Sequence, residues 1–158
     1  MREDVWGSIV LGNNIDITDP AYDEDVWCRI NKFPIPAGEY ECYVKMADDI
    51  ETHGWGNRVA RIGIRTEDEG THYERKGMIG VDSGLAGFFN CDNKIIFENI
   101  VNEYPAGQDV FIYDNAFVSS SGYGDGGYEV WVGYSDGKIV DIYIEFISSS
   151  DLESNELE

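Results

Sequence analysis

Cysteine is scarce in this chain of 158 residues, and its pattern argues against two kinds of stabilised scaffold. The three cysteines, Cys28, Cys42 and Cys91, are odd in number and form no CxxC pair. Such a count argues against a disulfide framework and against a structural zinc site. Cys42 alternates with apolar neighbours, so we expect a buried, reduced thiol and a cytoplasmic location.

Long apolar runs are also missing. No stretch approaches the roughly 18 apolar residues that span a bilayer, and Met1-Arg2-Glu3-Asp4 lacks the pattern of a signal peptide. We therefore expect no membrane association and no export. Aromatic residues, at 13%, indicate a packed core rather than a disordered chain. We expect a single β-rich domain over residues 1–148 and a disordered acidic tail over residues 149–158.

Positive charge is the third shortage. Thirty-one acids against eleven bases give a net charge of −20, and removing the four acids of the tail still leaves −16. Such a surface repels nucleic acid and anionic lipid, and it favours a basic protein partner or cations. Solubility alone also explains it. Five of the eleven bases lie close together in the sequence, and they predict either a basic stripe or pairing with neighbouring acids: Arg58, Arg61, Arg65, Arg75 and Lys76.

Alternating apolar and polar residues predict strands along most of the chain. The alternation is clearest in residues 40–46, 57–66, 128–134 and 138–147, and shorter strands are predicted at 5–11, 77–81 and 110–113. Arg61 and Arg65 occupy outward positions, as do Asp141 and Tyr143. Ser135-Asp136-Gly137 predicts a hairpin, because glycine accepts the left-handed backbone that such a turn needs.

One helix is predicted between two breaks in the strand pattern. Asp92 or Asn93 can cap it, Ile96, Ile100 and Tyr104 recur at helical spacing, and Pro105 ends it. Half-buried strands joined by short loops favour antiparallel pairing. The predicted fold is therefore mostly β, an antiparallel β-sandwich or partly open barrel with one short helix.

An acidic segment is the first candidate site. Asp16, Asp19, Asp23 and Asp25 lie within ten residues, and clustered carboxylates supply the oxygen ligands that calcium prefers. The order of an EF-hand loop is absent. Asp19-Pro20 also predicts a turn, so a solvated acidic turn is the alternative to a cation site.

Two further segments combine glycine with polar side chains. In residues 53–58, Trp55 and Arg58 suit an anion or ring-stacking site, or else a turn that leads into a strand. In residues 80–89, Asp82 and Ser83 precede Gly84, but no G-x-S-x-G elbow surrounds the serine, and nothing places a histidine as its base. No catalytic residue is predicted.

The segment from Ser119 to Tyr128 is the richest in glycine. Four glycines in six residues let backbone amides converge into an anion-binding nest, or form a connection into the next hairpin. Tyr123 and Asp125 add a polar pair beside Gly124 and Gly127. The segment is neither a P-loop nor a dinucleotide fingerprint, because it has no lysine and a strand follows it.

Several of these segments resemble a known protein family. Residues 121–128, the strand from 137 to 140, Val81-Asp82-Ser83-Gly84 and Gly87-Phe88 resemble a family of bacterial and phage proteins known as domain of unknown function 4241. The resemblance covers roughly the C-terminal half, and residues 16–22 look like a second shared motif. Family members often continue the glycine run with proline, where this chain has Glu129.

The resemblance implies no established activity. It implies that the matching residues form one shared feature, which is either a site or a structural corner. Those residues are Asp82, Gly84, Tyr123, Gly124, Asp125 and Gly127.

Three functions remain open on the sequence. The first is a non-catalytic binding protein, of the immunity or inhibitor kind, that recognises a basic partner through its acidic surface. The second is a small-molecule or phosphate pocket, with or without enzymatic activity, where the Asp82 turn meets the loop at 122–127. The third is a divalent-cation module that uses the acids of residues 16–25.

Overall fold

The chain folds into two antiparallel β-sheets packed face to face, as the computed structural model describes for residues 2–21, 28–66, 70–91, 97–103, 108–122 and 124–148. The elements in chain order are β1 (Arg2–Leu11), β2 (Asn14–Thr18), β3 (Ile30–Pro34), β4 (Gly38–Ala47), β5 (Arg58–Arg65), β6 (His72–Val81), β7 (Leu85–Asn90), α1 (Phe97–Glu103), β8 (Val110–Tyr113), β9 (Ala116–Ser120), β10 (Gly126–Ser135) and β11 (Lys138–Glu145). The predicted mostly-β sandwich with little helix is confirmed, and the sheets do not close into a barrel.

One sheet has six strands in the order β1-β4-β5-β11-β10-β6, and the other has five in the order β3-β2-β7-β9-β8. Their facing sides form the main core, to which both sheets contribute fully buried aliphatic and aromatic side chains. Ile62, Ile142 and Ile144 come from the six-stranded sheet, and Ile17 and Phe88 come from the other. The cysteine predicted to be buried, Cys42, lies in this core.

Two short hairpins show why the strands turn where they do. Asp136 and Gly137 both have positive φ, 51° and 77°, which is the backbone of the two-residue turn that matches strand twist. Asp114 and Asn115 adopt the same conformation between β8 and β9, with φ of 47° and 58°. The hairpin predicted at 135–137 is confirmed.

The short helix α1 covers the outer side of the five-stranded sheet. Ile100 is fully buried there and belongs to a second apolar cluster with Phe89, Ala116 and Val118. The predicted helix is thus present over Phe97–Glu103. Its predicted caps and end, and the tail over residues 149–158, lie outside the described residues.

The edge strand β1 is irregular and tied to the opposite sheet. Its pairing with β4 shifts register between Val5 and Gly7, which leaves Trp6 as a bulge. Farther along, the Val10 amide donates to Asn115 Oδ1 at 3.0 Å, and Asn90 Nδ2 donates to the Val10 carbonyl at 3.1 Å. The side chains of Asn115 and Asn90 therefore occupy both backbone groups of Val10 on this edge.

On the outer side of the six-stranded sheet, glycine makes room for tyrosine. Gly63 is the cross-strand partner of Tyr43, and Gly133 is the partner of Tyr73. A Cβ on Gly63 would overlap the Tyr43 ring, and one on Gly133 would lie 2.6 Å from Cε2 of Tyr73. Each ring therefore lies flat across its neighbouring strand and covers the backbone.

We expect Gly63→Ala to destabilise the protein, because the Tyr43 ring is buried and has no room to retreat. The cost should be about 1–3 kcal/mol in the free energy of unfolding, as for other overpacked positions. Urea denaturation monitored by tryptophan fluorescence measures it. Gly126→Ala is the matched control in the same sheet, since its Cβ would lie 3.5 Å from the Tyr128 hydroxyl oxygen, an ordinary van der Waals distance. Equal effects of the two substitutions would contradict this interpretation.

Candidate functional site

The two glycine-rich segments singled out in the sequence meet at one end of the sandwich. The Ser121 amide donates to the Gly84 carbonyl at 3.1 Å, and Gly126 pairs with Val81 where β10 meets β6. Arg58 lies beside them, with its Nη1 atom 3.5 Å from the Gly122 carbonyl. The structure therefore brings these candidate residues to a common end, whereas Tyr123 lies outside the described residues.

The Asp19 side chain stabilises this end of the sandwich through hydrogen bonds. It is fully buried, and its Oδ2 atom accepts the amides of Asp82 and Ser83 at 2.7 and 2.8 Å. The other oxygen accepts the Ala21 amide at 2.8 Å and the Ser83 hydroxyl at 2.6 Å. Both oxygens of Asp19 are therefore used to hold the turn at 82–83 against the end of β2.

Asp16 is engaged in the same way by protein donors. Its Oδ1 accepts the Lys32 amide at 2.9 Å and the Cys91 thiol at 3.2 Å, and its Oδ2 lies 3.1 Å from the Arg29 guanidinium. Asp23 and Asp25, the other two candidate ligands, lie outside the described residues. Within the part of the chain that the structure describes, no group of three potential ligands comes together.

The glycine-rich loop closes on itself. The Gly124 carbonyl accepts the Ser121 hydroxyl at 2.7 Å and the Tyr128 hydroxyl at 2.5 Å, and the Gly124 amide donates to the Ser121 carbonyl at 3.1 Å. A Cβ on Gly122 would lie 3.0 Å from Cβ of Phe146. These contacts describe a packed corner of the fold, on whose outside Asp82, Asp125 and Gly127 are exposed.

The neighbouring loop over residues 48–57, here called the Trp55 loop, presents large apolar side chains to solvent. Ile50 is 85% exposed and Trp55 is 67% exposed. The loop is nevertheless well fastened: Asp49 Oδ1 accepts the Gly56 amide at 2.8 Å, and the buried Thr52 hydroxyl donates to the Gly56 carbonyl at 2.7 Å. Two apolar side chains are thus held in water on an ordered loop.

A second polar cluster lies on the outer side of the six-stranded sheet, and sequence reasoning missed it. Asp141, only 4% exposed, accepts the Tyr43 hydroxyl at 2.6 Å on one oxygen and the Tyr73 hydroxyl at 2.7 Å on the other. In the strand register Asp141 lies between Arg65 of β5 and Gly133 of β10. The cluster therefore draws on four neighbouring strands and on β6.

Arginine side chains cover the rings of this cluster. The Arg65 guanidinium lies 4.3 Å from the centroid of the Tyr43 ring, and that of Arg61 lies 3.8 Å from the centroid of the Tyr143 ring. Arg65 also donates to Glu41 at 2.8 Å and to Glu3 at 3.2 Å. Arg65, at an outward position as predicted, is therefore buried over the Tyr43 ring and paired with two carboxylates.

Burial governs the protonation of the cluster. It raises the pKa of Asp141, and the hydroxyls of Tyr43 and Tyr73 lower that pKa because they donate to the charged carboxylate. Burial also raises the pKa of Tyr73 to about 12 and raises the pKa of Tyr43 as well. The tyrosines therefore remain donors at every physiological pH.

The sequence carried a signal for this cluster. Arg61 and Arg65 alternate with apolar residues in β5, and Gly63 stands between them at the one outward position without a side chain. Asp141 and Tyr143 hold the outward positions of β11. Asp141 and Tyr143 do lie on the outer side of the sheet, but both are buried there.

By fold, the chain is an all-antiparallel β-sandwich. No family model, no curated protein and no solved structure matches it. The resemblance to domain of unknown function 4241 stays a prediction. In the described residues no helix is long and apolar enough to cross a membrane.

We expect Asp19→Asn to destabilise the end of the sandwich by about 2 kcal/mol or more, because an amide cannot accept all four of the bonds that the carboxylate accepts. Differential scanning calorimetry measures the effect. The control is Asp125→Asn, an exposed substitution on the same end that we expect to change stability by less than about 0.5 kcal/mol. A fully stable Asp19→Asn variant would show that Asp19 does not fasten this end.

The hydrogen bond from Tyr43 to Asp141 predicts that the effect of Tyr43→Phe on stability depends on pH. Because the pKa of Asp141 is raised in the folded protein, stability falls as pH rises through that pKa, and losing a donor that lowers it enlarges the fall. We expect a loss of about 2 kcal/mol above this pKa, where the bond is to a charged group, and a smaller loss in acid.

Urea denaturation across a pH series measures this difference. Tyr143→Phe is the control, because it removes a neighbouring hydroxyl that is not bonded to Asp141. A Tyr43→Phe effect that does not change with pH would contradict the charged hydrogen bond.

Proposed function

We propose that this protein is a non-catalytic binding protein, of the immunity or inhibitor kind, that acts in the cytoplasm. Its ligand in this proposal is a basic protein, bound at the end of the sandwich that carries the Trp55 loop. The observation that carries the proposal is the exposure of Ile50 and Trp55 at 85% and 67% on a hydrogen-bonded loop. Exposed apolar patches on a protein surface commonly mark interaction sites.

The order of the Trp55 loop favours binding. The amide of Glu51 donates to Asp48 Oδ1 at 2.8 Å, and Asp48 accepts this bond while its own amide donates to Glu51 Oε1 at 3.2 Å. Asp49 uses its amide to donate to Asn57 Oδ1 at 3.1 Å. A loop already fixed in shape loses less conformational freedom on association, so more of the contact energy remains for affinity.

The charge around these apolar side chains favours a basic partner. Asp48, Asp49 and Glu51 flank Ile50 directly. Across the described residues, six of the eleven bases form ion pairs with acids: Arg2, Arg29, Arg61, Arg65, Arg75 and Lys76. Because the bases are largely engaged in this way and the acids outnumber them, a basic protein is attracted from solution and an acidic one is repelled.

The cytoplasmic part of the proposal is supported by the cysteines. Cys28, Cys42 and Cys91, all within the described part of the chain, form no disulfide. Burial raises the pKa of the Cys42 thiol to about 12, so this cysteine is protonated and unreactive at neutral pH. Thiols of this kind suit a reducing compartment.

The proposal predicts that a double substitution, Ile50→Ser with Trp55→Ser, strongly weakens binding of the natural partner. The full chain is immobilised and used to capture protein from cells that encode it, and the captured protein is then purified and titrated by calorimetry. We expect the captured protein to be basic. The double variant should bind it at least roughly thirtyfold more weakly, as the loss of about 2 kcal/mol at a binding hot spot requires.

The matched control is Val5→Ser with Val10→Ser, which truncates two exposed apolar side chains on β1 and leaves the charge unchanged. Binding by this control should equal that of the unaltered chain, and binding by the unaltered chain should weaken as salt rises. The proposal fails if no protein is captured, if the captured protein is acidic, or if the double variant binds as well as the control.

A further inference from the structure

A recess of about 310 Å³ opens on the outer side of the six-stranded sheet. Its lining includes the aromatic side chains of Tyr43, Tyr73 and Tyr143. Three of the eleven bases of this acidic chain, Lys45, Arg61 and Arg65, also line it. Glu3 and Asp141 line the recess as well, so its bases outnumber its acids by three to two, the reverse of the balance in the whole chain.

The placement of two of these cations breaks a local rule of sheet structure. Lys45 of β4 and Arg61 of β5 are direct cross-strand partners on the same side of the sheet. Like charges in directly opposite positions destabilise a sheet. Departures from local rules tend to occur at functional sites, where another requirement outweighs the cost.

The nearby acids do not neutralise the like charges of Lys45 and Arg61. Glu3 is the cross-strand partner of Lys45, yet its carboxylate bonds to Arg65 at 3.2 Å. Within the described residues, the Lys45 ammonium has neither a hydrogen bond nor an ion pair. Arg61 approaches Glu145 at 3.6 Å, beyond the distance of a good hydrogen bond. Both cations thus retain donors that can reach a ligand in the recess.

The Arg61 guanidinium is also fixed in orientation. It lies over the Tyr143 ring at 3.8 Å from the centroid, and Tyr143 is itself buried. A guanidinium that packs on an aromatic face still has N–H donors for other partners. Such a group is prepared to bind an oxyanion with little loss of conformational freedom.

The buried carboxylate at the floor of the recess does not compete for this role. Both oxygens of Asp141 are occupied by the hydroxyls of Tyr43 and Tyr73. Arg61 and Arg65 also act electrostatically on Asp141, and both lower its pKa. Its negative charge is therefore already partly compensated from within the protein.

We propose that this recess binds a small molecule that carries an oxyanion, with Lys45 and Arg61 as the residues that contact the anionic group. A volume of about 310 Å³ lies at the lower end of the range of small-molecule pockets, roughly 300–1,000 Å³. The tyrosine-lined remainder suits an organic group attached to the oxyanion. This site is independent of the binding surface on the Trp55 loop.

The test titrates the full chain with inorganic phosphate and with phenyl phosphate by calorimetry, with ionic strength held constant by sodium chloride. We expect phenyl phosphate to bind more tightly than inorganic phosphate, because its ring enters the tyrosine-lined space. Lys45→Gln and Arg61→Gln should each weaken phenyl phosphate binding about tenfold or more, as the loss of a charge-assisted hydrogen bond requires.

The control is Arg75→Gln on the same side of the sheet. Arg75 is a cross-strand partner of Trp131 and pairs with Glu129 at 3.3 Å, and it does not line the recess. The substitution therefore removes one positive charge and leaves the lining of the recess unchanged. Affinity of this variant should stay within about twofold of the unaltered chain, because exposed charges at a distance are largely screened.

Nuclear magnetic resonance of the unaltered chain makes the test independent of variant folding. On addition of phenyl phosphate, shifts should concentrate on the amides of β4, β5 and β11 and leave those of the Trp55 loop unchanged. The proposal is overturned if neither phosphate binds at millimolar concentration, if the shifts fall elsewhere, or if Arg75→Gln weakens binding as much as Arg61→Gln does.

Discussion

A buried carboxylate needs hydrogen-bond donors, and the middle of the six-stranded sheet is arranged around that requirement of Asp141. The donors are two tyrosine hydroxyls that reach it from β4 and β6, at 2.6 and 2.7 Å. Their rings can cross the sheet only because Gly63 and Gly133 carry no side chain. Arg65 then packs over one ring and bonds to two glutamates. One polar requirement thus fixes two glycines, two tyrosines and an arginine.

Sequence pattern predicted one sheet much better than the other. Every strand of the six-stranded sheet was predicted at least in part, since long strands such as β4 and β11 alternate over many residues, whereas only residues 5–11 of β1 and 77–81 of β6 were predicted. Four of the five strands of the other sheet were missed. β2, β3 and β9 have only five residues each, and β7, Leu85–Asn90, is buried on both sides between the core and α1. Short or doubly buried strands give no clear alternation.

The candidate sites, too, were predicted only in part. Sequence reasoning singled out segments rich in glycine and aspartate, and the structure gathers their described parts at one end, where Asp19 and Tyr128 hold them. It did not find the recess, whose residues are far apart in the sequence and meet only through strand register: Lys45 and Arg61 are sixteen positions apart, and Asp141 joins them from β11. Local composition indicates where turns lie, but it does not show which residues of neighbouring strands become partners.

The asparagines that reach across to Val10 have a consequence for how the protein behaves at high concentration. An exposed strand edge is a template for the addition of further chains, and β1 is ten residues long with several apolar side chains in solvent. Asn115 and Asn90 occupy the amide and the carbonyl of Val10, and the bulge at Trp6 interrupts the strand farther along. Both features make this edge a poorer template for the addition of another chain.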